Sequence, residues 1–362
     1  MQVFALLLAG CQAIAPSRAA RKDAAGETAQ KLAKLEELPG LLVGELPVDG
    51  ANSVVDGDTL KVKGLDSSLR LLAIDTEETF KHEEERRAFA GGWAAYKKKM
   101  RGESPRPVKM ATPLGEDAKR FAQDFFTGVE KVRIERDHPG EIRDFYGRYL
   151  AYVFAFKDGQ WVNYNLETVR AGMSPYFTKY GPSRRFGPQF LEAQKRAQAK
   201  QLGIWDPAQQ HYDDYPERLT WWNGRGATIA RFEEEMRTHD NYLALTRWDA
   251  LLQLEKRIGK EVVVLASVGD IKLGDRGPTV VKLARSRTSD LEVLFFDKDV
   301  FRATGIDKAK GEFVRVRGVV HERKSAQWGD RLQLVVSLPG QVTLPGATGD
   351  NGGEPPAGDE PD

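Results

Sequence analysis

The sequence predicts a mainly β protein with helices, built as two β-rich units joined by a helical connector. Three patterns carry that expectation. Short apolar runs, Ser53–Val55 and Leu60–Val62, flank an Asp56-Gly57 turn, a hairpin signal. Apolar residues at helical spacing, Ala118, Phe121, Ala122 and Phe125, follow the first strands. Beyond residue 258, five more strand-like runs appear, with one short helix-like stretch between the third and the fourth.

The first 11 residues read as a lipoprotein signal peptide. An apolar run from Val3 to Leu8 is too short to span a bilayer. It leads into Leu8-Ala9-Gly10-Cys11, which looks like a bacterial lipobox with Cys11 as the lipidated mature N-terminus. The pattern departs from the usual one in that no lysine or arginine precedes the apolar run. Gln12 after the cysteine favours the outer membrane where there are two membranes. The expected location is the bacterial cell envelope, lipid-anchored, or the secreted fraction. Cys11 is the single cysteine, so no internal disulfide forms. Residues 12–45 are rich in Ala, Lys, Glu and Arg without an aromatic, and read as a tether.

Residues 46–207 form the first unit. Leu69–Ile74 is a nearly continuous apolar strand, and Val129–Glu135 and Arg148–Phe156 are strands. Gly115–Phe126, Val162–Ala171 and Pro188–Lys200 read as helices. Residues 80–110 read as an elaborated, partly helical loop. Its Arg86, Arg87, Lys97, Lys98, Lys99 and Arg101 lie among Phe89, Trp93 and Tyr96, a mixture that favours extension of a binding groove. The connector, 208–258, carries Trp221-Trp222-Asn223 and a helical run over Ile229–Ile258; the tryptophans read as packing residues before a base-stacking platform. The second unit, 259–344, has strand-like runs at Val262–Val268, Thr279–Leu283, Leu291–Phe296, Phe313–His321 and Leu332–Val336, with a helix at Lys298–Thr304. The Gly/Pro-rich acidic tail, 345–362, should be disordered.

With 54 basic and 53 acidic residues the net charge is +1, which argues against a strongly basic nucleic-acid coat protein. An active site needs only a local positive funnel, and one stretch supplies it. Val54-Val55-Asp56-Gly57-Asp58-Thr59-Leu60 is followed by Arg70-Leu71-Leu72-Ala73-Ile74-Asp75-Thr76-Glu77-Glu78-Thr79, then by Asp144-Phe145-Tyr146-Gly147-Arg148-Tyr149-Leu150-Ala151-Tyr152. These give carboxylates for a hard cation, a carboxylate to activate water, and two arginines to hold phosphate oxygens. That set suits phosphodiester hydrolysis, in which charge must be neutralised and a deprotonated water delivered in line.

In residues, order and approximate spacing the segment resembles the staphylococcal nuclease (thermonuclease) family, over about 160 residues ending at Gly203-Ile204-Trp205. The resemblance implies a five-stranded barrel of the oligonucleotide-binding type for 46–207. It implies calcium as cofactor, with Asp58, Asp75 and the Thr76 carbonyl as metal ligands. It implies catalytic roles for Glu78, as base or water-orienting group, and for Arg70 and Arg148, as phosphate binders. Tyr146 and Tyr180 stand as substrate-binding candidates, and Asp144 as a support of the same loop. The expected activity is hydrolysis of DNA and RNA, single strands preferred, leaving 3′-phosphate products. The order of elements in 259–344 resembles a second barrel of this type, for which Arg315, Arg317, Arg323, Lys324 and Trp328 are candidate strand contacts. Its alternative is a protein-binding or structural β-domain.

Two departures stand inside the motif. Glu77 replaces the proline usual in the family and adds a second carboxylate beside Glu78; Phe145 replaces a lysine of the type member. The histidines, His82, His138, His211, His239 and His321, are scattered and have no cysteine partners for zinc. His82 reads as a solvated loop residue. The rival reading is a non-catalytic nucleic-acid-binding module or envelope scaffold lipoprotein; retention of Asp58, Arg70, Asp75, Glu78 and Arg148 speaks against it. The implied partners are a DNA or RNA substrate and, through Cys11, a membrane, and no motif marks a protein partner.

Overall fold

The computed structural model describes residues 41–104, 106–138, 143–144, 146–247, 249–284, 290–324 and 330–345. Cys11, the tether up to residue 40, Phe145, Trp328 and the tail from 346 lie outside the described residues.

The first unit opens with β1 (Leu42–Pro47), β2 (Val54–Asp56), β3 (Thr59–Leu60) and β4 (Leu69–Leu71). Helices α1 (Glu83–Ala90), α2 (Trp93–Arg101) and α3 (Pro113–Phe126) follow. Then come β5 (Lys131–Glu135), β6 (Tyr149–Lys157), β7 (Gln160–Asn163), α4 (Tyr164–Arg170) and α5 (Gly187–Ala199). The sheet order is β1-β5-β6-β4-β3-β2, with β7 on β6 and a parallel β4–β6 pair. The Lys63 N–H donates to the Pro47 carbonyl at 3.0 Å, bringing the chain after β3 back to β1 and rolling the sheet into a barrel of the oligonucleotide-binding type. Leu60, Leu69, Ile74, Val132, Val153 and Phe190 fill it.

Two close approaches fix the segment that carries the acids. At Gly57 a Cβ would come within 2.7 Å of the Thr76 side chain, so only glycine lets the β2–β3 turn lie on Thr76. At Gly115 a Cβ would meet the Glu78 carbonyl oxygen at 2.0 Å, so the first turn of α3 packs directly on the Glu77–Glu78 backbone. That turn is well defined: Pro113 occupies the first helical position, and the N-capping Thr112 hydroxyl accepts from the Gly115 N–H at 3.0 Å.

Two sequence expectations are corrected here. The helix expected over 162–171 starts later, because Asp158-Gly159, both at positive φ, makes a hairpin turn and pairs Trp161 and Val162 with Phe156 and Ala155. The long helical run expected over 229–258 is instead α6 (Tyr215–Glu235), a strand β8 (Tyr242–Ala244) and α7 (Ala250–Glu255). β8 runs parallel to the first strand of the second unit, so the end of the connector belongs to that unit.

The second unit comprises β9 (Glu261–Lys272), β10 (Thr279–Ala284), β11 (Asp290–Phe295), α8 (Lys298–Thr304), β12 (Phe313–Arg323), β13 (Arg331–Val335) and β14 (Val342–Thr343). β9 pairs β10, β10 pairs β11, β11 runs parallel to β13, β13 pairs β12, and β12 returns to β9. The five strands therefore close on themselves around Val264, Val281, Leu283, Phe295, Val316 and Leu334. Helix α6 joins the units: its Ile229 and Phe232 share an apolar cluster with Leu265 and Phe313. Its Arg225 donates to the Gly311 carbonyl at 2.6 Å, and its Glu235 holds Arg315 through two contacts of 2.7 and 2.8 Å. Arg315, a candidate strand contact by sequence, is thereby a tie between the units.

The insertion is two helices whose aromatics turn inward. Phe80, Phe89, Trp93 and Tyr96 pack against one another in tilted and edge-on contacts and share a cluster with Leu114, Tyr212 and Tyr215. Lys97 and Arg101 pair with Asp213 and Asp214. These four rings, Tyr96 buried and the other three half-buried, form a small core of their own, and the insertion reaches the cleft through Pro107 and Lys109 at its far end.

Candidate active site

Arg70 on β4 organises the centre. One nitrogen of its guanidinium lies 2.6 Å from Asp58 Oδ2, and another donates to Asp75 Oδ1. The two aspartates, 17 positions apart in sequence, thus converge on one cation. Asp58 is held from behind: the Thr76 N–H donates to Oδ2 at 3.0 Å and the Thr59 hydroxyl to Oδ1 at 3.1 Å. Burial opposes its charge, yet Arg70 and Lys109 beside it keep its carboxyl below the usual range. Burial likewise opposes the Arg70 charge, and Asp58 and Asp75 more than compensate. The Asp75 backbone N–H is anchored by the Ser174 hydroxyl at 2.8 Å.

Glu78 stands at the cleft wall with a third of its side chain exposed, 3.1 Å from Lys81 Nζ and 3.5 Å from Lys109 Nζ. Its backbone carbonyl accepts from the Thr112 N–H at 3.0 Å, so the cap of α3 sets its position. Opposite, Asp144 accepts from the backbone N–H groups of Tyr146 and Arg148, both at 2.9 Å, and from Arg148 Nε at 2.7 Å. That pattern ties the loop together and holds the Arg148 guanidinium in place. The Tyr146 and Tyr180 rings are 59% and 60% exposed, available for contact with a planar ligand.

Asp58, Arg70, Asp75, Glu78, Asp144, Tyr146, Arg148 and Tyr180 line one cleft of about 1500 Å³. Thr76 does not line it; it is buried behind Asp58. Among the described residues no three acidic or histidine side chains gather as a metal cluster. The oxygen-rich pair Asp58–Asp75 is nevertheless of the chemistry that holds a hard divalent cation, with Asp56 next to Asp58. Burial and the neighbouring Asp58 push the Asp56 carboxyl up to about 6.

Sequence reasoning missed three members of this site. Asp56 was visible only as half of a turn signal, although its Asp-x-Asp spacing with Asp58 places both at one hairpin. Lys81 lies 3.7 Å from Asp56 and bridges it to Glu78. Lys109, 2.7 Å from Asp75 Oδ1, arrives from the far end of the insertion, where no local pattern marks it.

Glu77, expected as a second carboxylate beside Glu78, faces the other way. It is 1% exposed and accepts from the Thr112 hydroxyl, the Tyr212 N–H at 2.7 Å and the Tyr215 hydroxyl at 2.9 Å. It fastens the strand end to α3 and α6. His82 is exposed, as expected of a loop residue.

Residues 68–207 match a family described as "Staphylococcal nuclease homologue". Over 155 residues the chain is 30% identical to a thermonuclease of Staphylococcus intermedius, covering 42% of this chain and 73% of that protein. It is 31% identical over 153 residues to the SPbeta prophage-derived endonuclease YokF of Bacillus subtilis (strain 168), covering 42% of this chain and 41% of the other. The endonuclease YncB of the same organism is 30% identical over 153 residues, with 42% and 58% covered.

Proposed function

This chain belongs to the staphylococcal nuclease family, and from that membership we propose that it is a calcium-dependent phosphodiesterase hydrolysing DNA and RNA, single strands preferred, with 3′-phosphate products. The observation that carries the reading is the convergence of Asp58 and Asp75 on Arg70 in the cleft that also holds Glu78 and Arg148.

The oxygen donors of Asp58 and Asp75, which face the cleft, would hold calcium, whose charge lowers the repulsion between the phosphodiester and an incoming nucleophile. Glu78 accepts a proton from the attacking water, or orients it, from its half-solvated place at the wall; general base catalysis of this kind contributes about 10²–10⁴-fold. Arg148, pre-aimed by Asp144, donates to the equatorial phosphate oxygens as charge builds on them. Arg70 exchanges part of its hold on the two aspartates for the phosphate, remaining charged throughout. Tyr146 and Tyr180 offer ring faces to the bases flanking the scissile bond.

The test is digestion of labelled single-stranded DNA by the 12–362 fragment with calcium and with chelator. Cleavage that needs calcium supports the reading; salt-sensitive binding without cleavage moves the protein to the binding-module class. The envelope location is part of the same proposal and rests on Leu8-Ala9-Gly10-Cys11 alone. Cys11→Ser should release the protein from membranes, and continued membrane fractionation would remove that part.

A further inference from the structure

The cleft does not stop at the catalytic residues. It runs along α6 to Gly311 and Phe313 of the second unit, and this arm is lined by Lys179, Trp221 and Arg225. The Trp221 ring gathers three cations: Lys179 Nζ at 4.3 Å from its centroid, the Arg106 guanidinium at 5.1 Å and that of Arg225 at 5.8 Å. One carboxylate, Glu312, serves this group. It pairs with Arg106 and with Arg225 at 2.8 Å, and accepts from Trp221 Nε1 at 3.2 Å.

Lys179 is left over. Its ammonium rests on the rings of Trp221 and Tyr180, and among the described residues no carboxylate pairs with it. Arg225 is 6% exposed, and its Nε has no hydrogen-bond partner among the described residues. Burial first, and then the charges of Arg225, Lys109 and Arg106, bring Lys179 down to about 8; burial and Arg106 bring Arg225 down to about 10. A folded chain keeps partly desolvated positive charge in such excess only at a cost, which an anion in the cleft would relieve. A cation seated on an aromatic ring beside a catalytic cleft is the chemistry that follows a single-stranded backbone.

We propose that Lys179, seated on Trp221 and backed by Arg106 and Arg225, is a second phosphate subsite that takes an internucleotide phosphate of the strand being cut, one or more nucleotides away from the scissile bond. Lys179 and Arg106 lie within the matched residues 68–207, whereas Trp221 and Arg225 belong to α6 beyond them, so the ring and the buried guanidinium that back Lys179 come from outside the matched unit. Trp221 acts as a positioning residue: it holds the ammonium over the cleft. The identity of the occupant rests on the nuclease reading.

The experiment is equilibrium binding of labelled single-stranded DNA in chelator, where nothing is cut, using the full chain and oligonucleotides of two lengths. Lys179→Glu should weaken a strand of about twelve nucleotides roughly ten-fold or more, and one of about three nucleotides much less. Lys179→Ala should flatten the dependence of log affinity on log salt by about 0.7, the value for one phosphate of a single strand. Lys179→Arg should restore both, and Trp221→Ala should reproduce part of the loss. Equal losses on both lengths, an unchanged salt slope, or failure of the wild type to bind the longer strand at low salt would each overturn the subsite. Cleavage of the same oligonucleotides by the wild type in calcium is scored separately. Its absence removes the nuclease reading while the length-dependent binding still judges Lys179.

Discussion

The Lys109 ammonium lies 2.7 Å from Asp75 Oδ1, on a carboxylate that Arg70 also holds. A cation there competes with any divalent ion for the same oxygen. At an effective dielectric of about 20 the unscreened attraction at that distance is about 6 kcal/mol. Lys109 is about half exposed and can swing out, so most of that is screened. What survives, about 1 kcal/mol, corresponds to roughly five-fold in affinity. Lys109→Met should therefore tighten calcium binding several-fold in a calorimetric titration. Unchanged affinity would mean that the ammonium leaves the carboxylate freely when the ion arrives.

Glu78 is the carboxylate at the cleft wall with water access, flanked by two ammonium groups. Glu78→Gln keeps the side-chain shape and leaves the Glu78 carbonyl's bond from the Thr112 N–H in place, but removes the charge and the ability to take a proton. Turnover on single-stranded DNA should fall by about 10²–10⁴-fold, with calcium and strand affinity within a few-fold of wild type. Turnover near that of the wild type would take Glu78 out of the mechanism, and Asp56, half-buried beside Asp58, would be the next carboxylate to substitute.

Glu77 makes the contrasting prediction. Its buried carboxylate satisfies three donors, so Glu77→Ala strands the Thr112 and Tyr215 hydroxyls and the Tyr212 N–H. Loss of about 2–4 kcal/mol of stability is expected. Glu77→Gln should be mild: its carbonyl can accept from Tyr212 and Tyr215, and the Thr112 hydroxyl can turn to accept from its amide. Burial also raises the Glu77 pKa, so the neutral amide resembles the form that burial favours. Denaturant melts of the two variants check this. Equal stability of Glu77→Ala and wild type would show that water replaces the carboxylate.

What the sequence made legible follows from how local each signal is. The residues proposed to hold metal and phosphate sit in short runs around a hairpin and a tight loop, so the family resemblance could single out Asp58, Arg70, Asp75, Glu78, Asp144 and Arg148, and the fold brings them to one cleft. Glu77 misled because its neighbour in sequence faces the cleft while it faces the core, a distinction between two adjacent residues of the segment after β4 that no residue type announces. The insertion misled for the opposite reason: lysines and tryptophan side by side suit a groove, but its rings had a core to fill against Tyr212 and Tyr215, more than 100 positions along. Lys109 and Lys179 needed the tertiary fold. So did β8, whose three residues become a strand only by pairing with β9.

Lys179 gives the pH dependence that a second phosphate subsite should show. It faces Arg225 from α6, Lys109 and Arg106 from the end of the insertion, and Asp75 across the cleft; Glu312 is taken up by the two arginines. Its pKa falls from 10.5 in the unfolded chain to about 8 in the folded one, so between these values the unfolded chain binds the extra proton. Stability of the free protein from this group therefore increases as pH rises through that window, and the penalty is fully present below about 8. Strand affinity runs the other way, because only the ammonium holds a phosphate: it should fall as pH rises through about 8, with a flatter salt slope above it. Lys179→Arg should bind with no such fall, since a guanidinium stays charged there. A fall of the same size in that variant would assign the titration to another group and detach Lys179 from the phosphate.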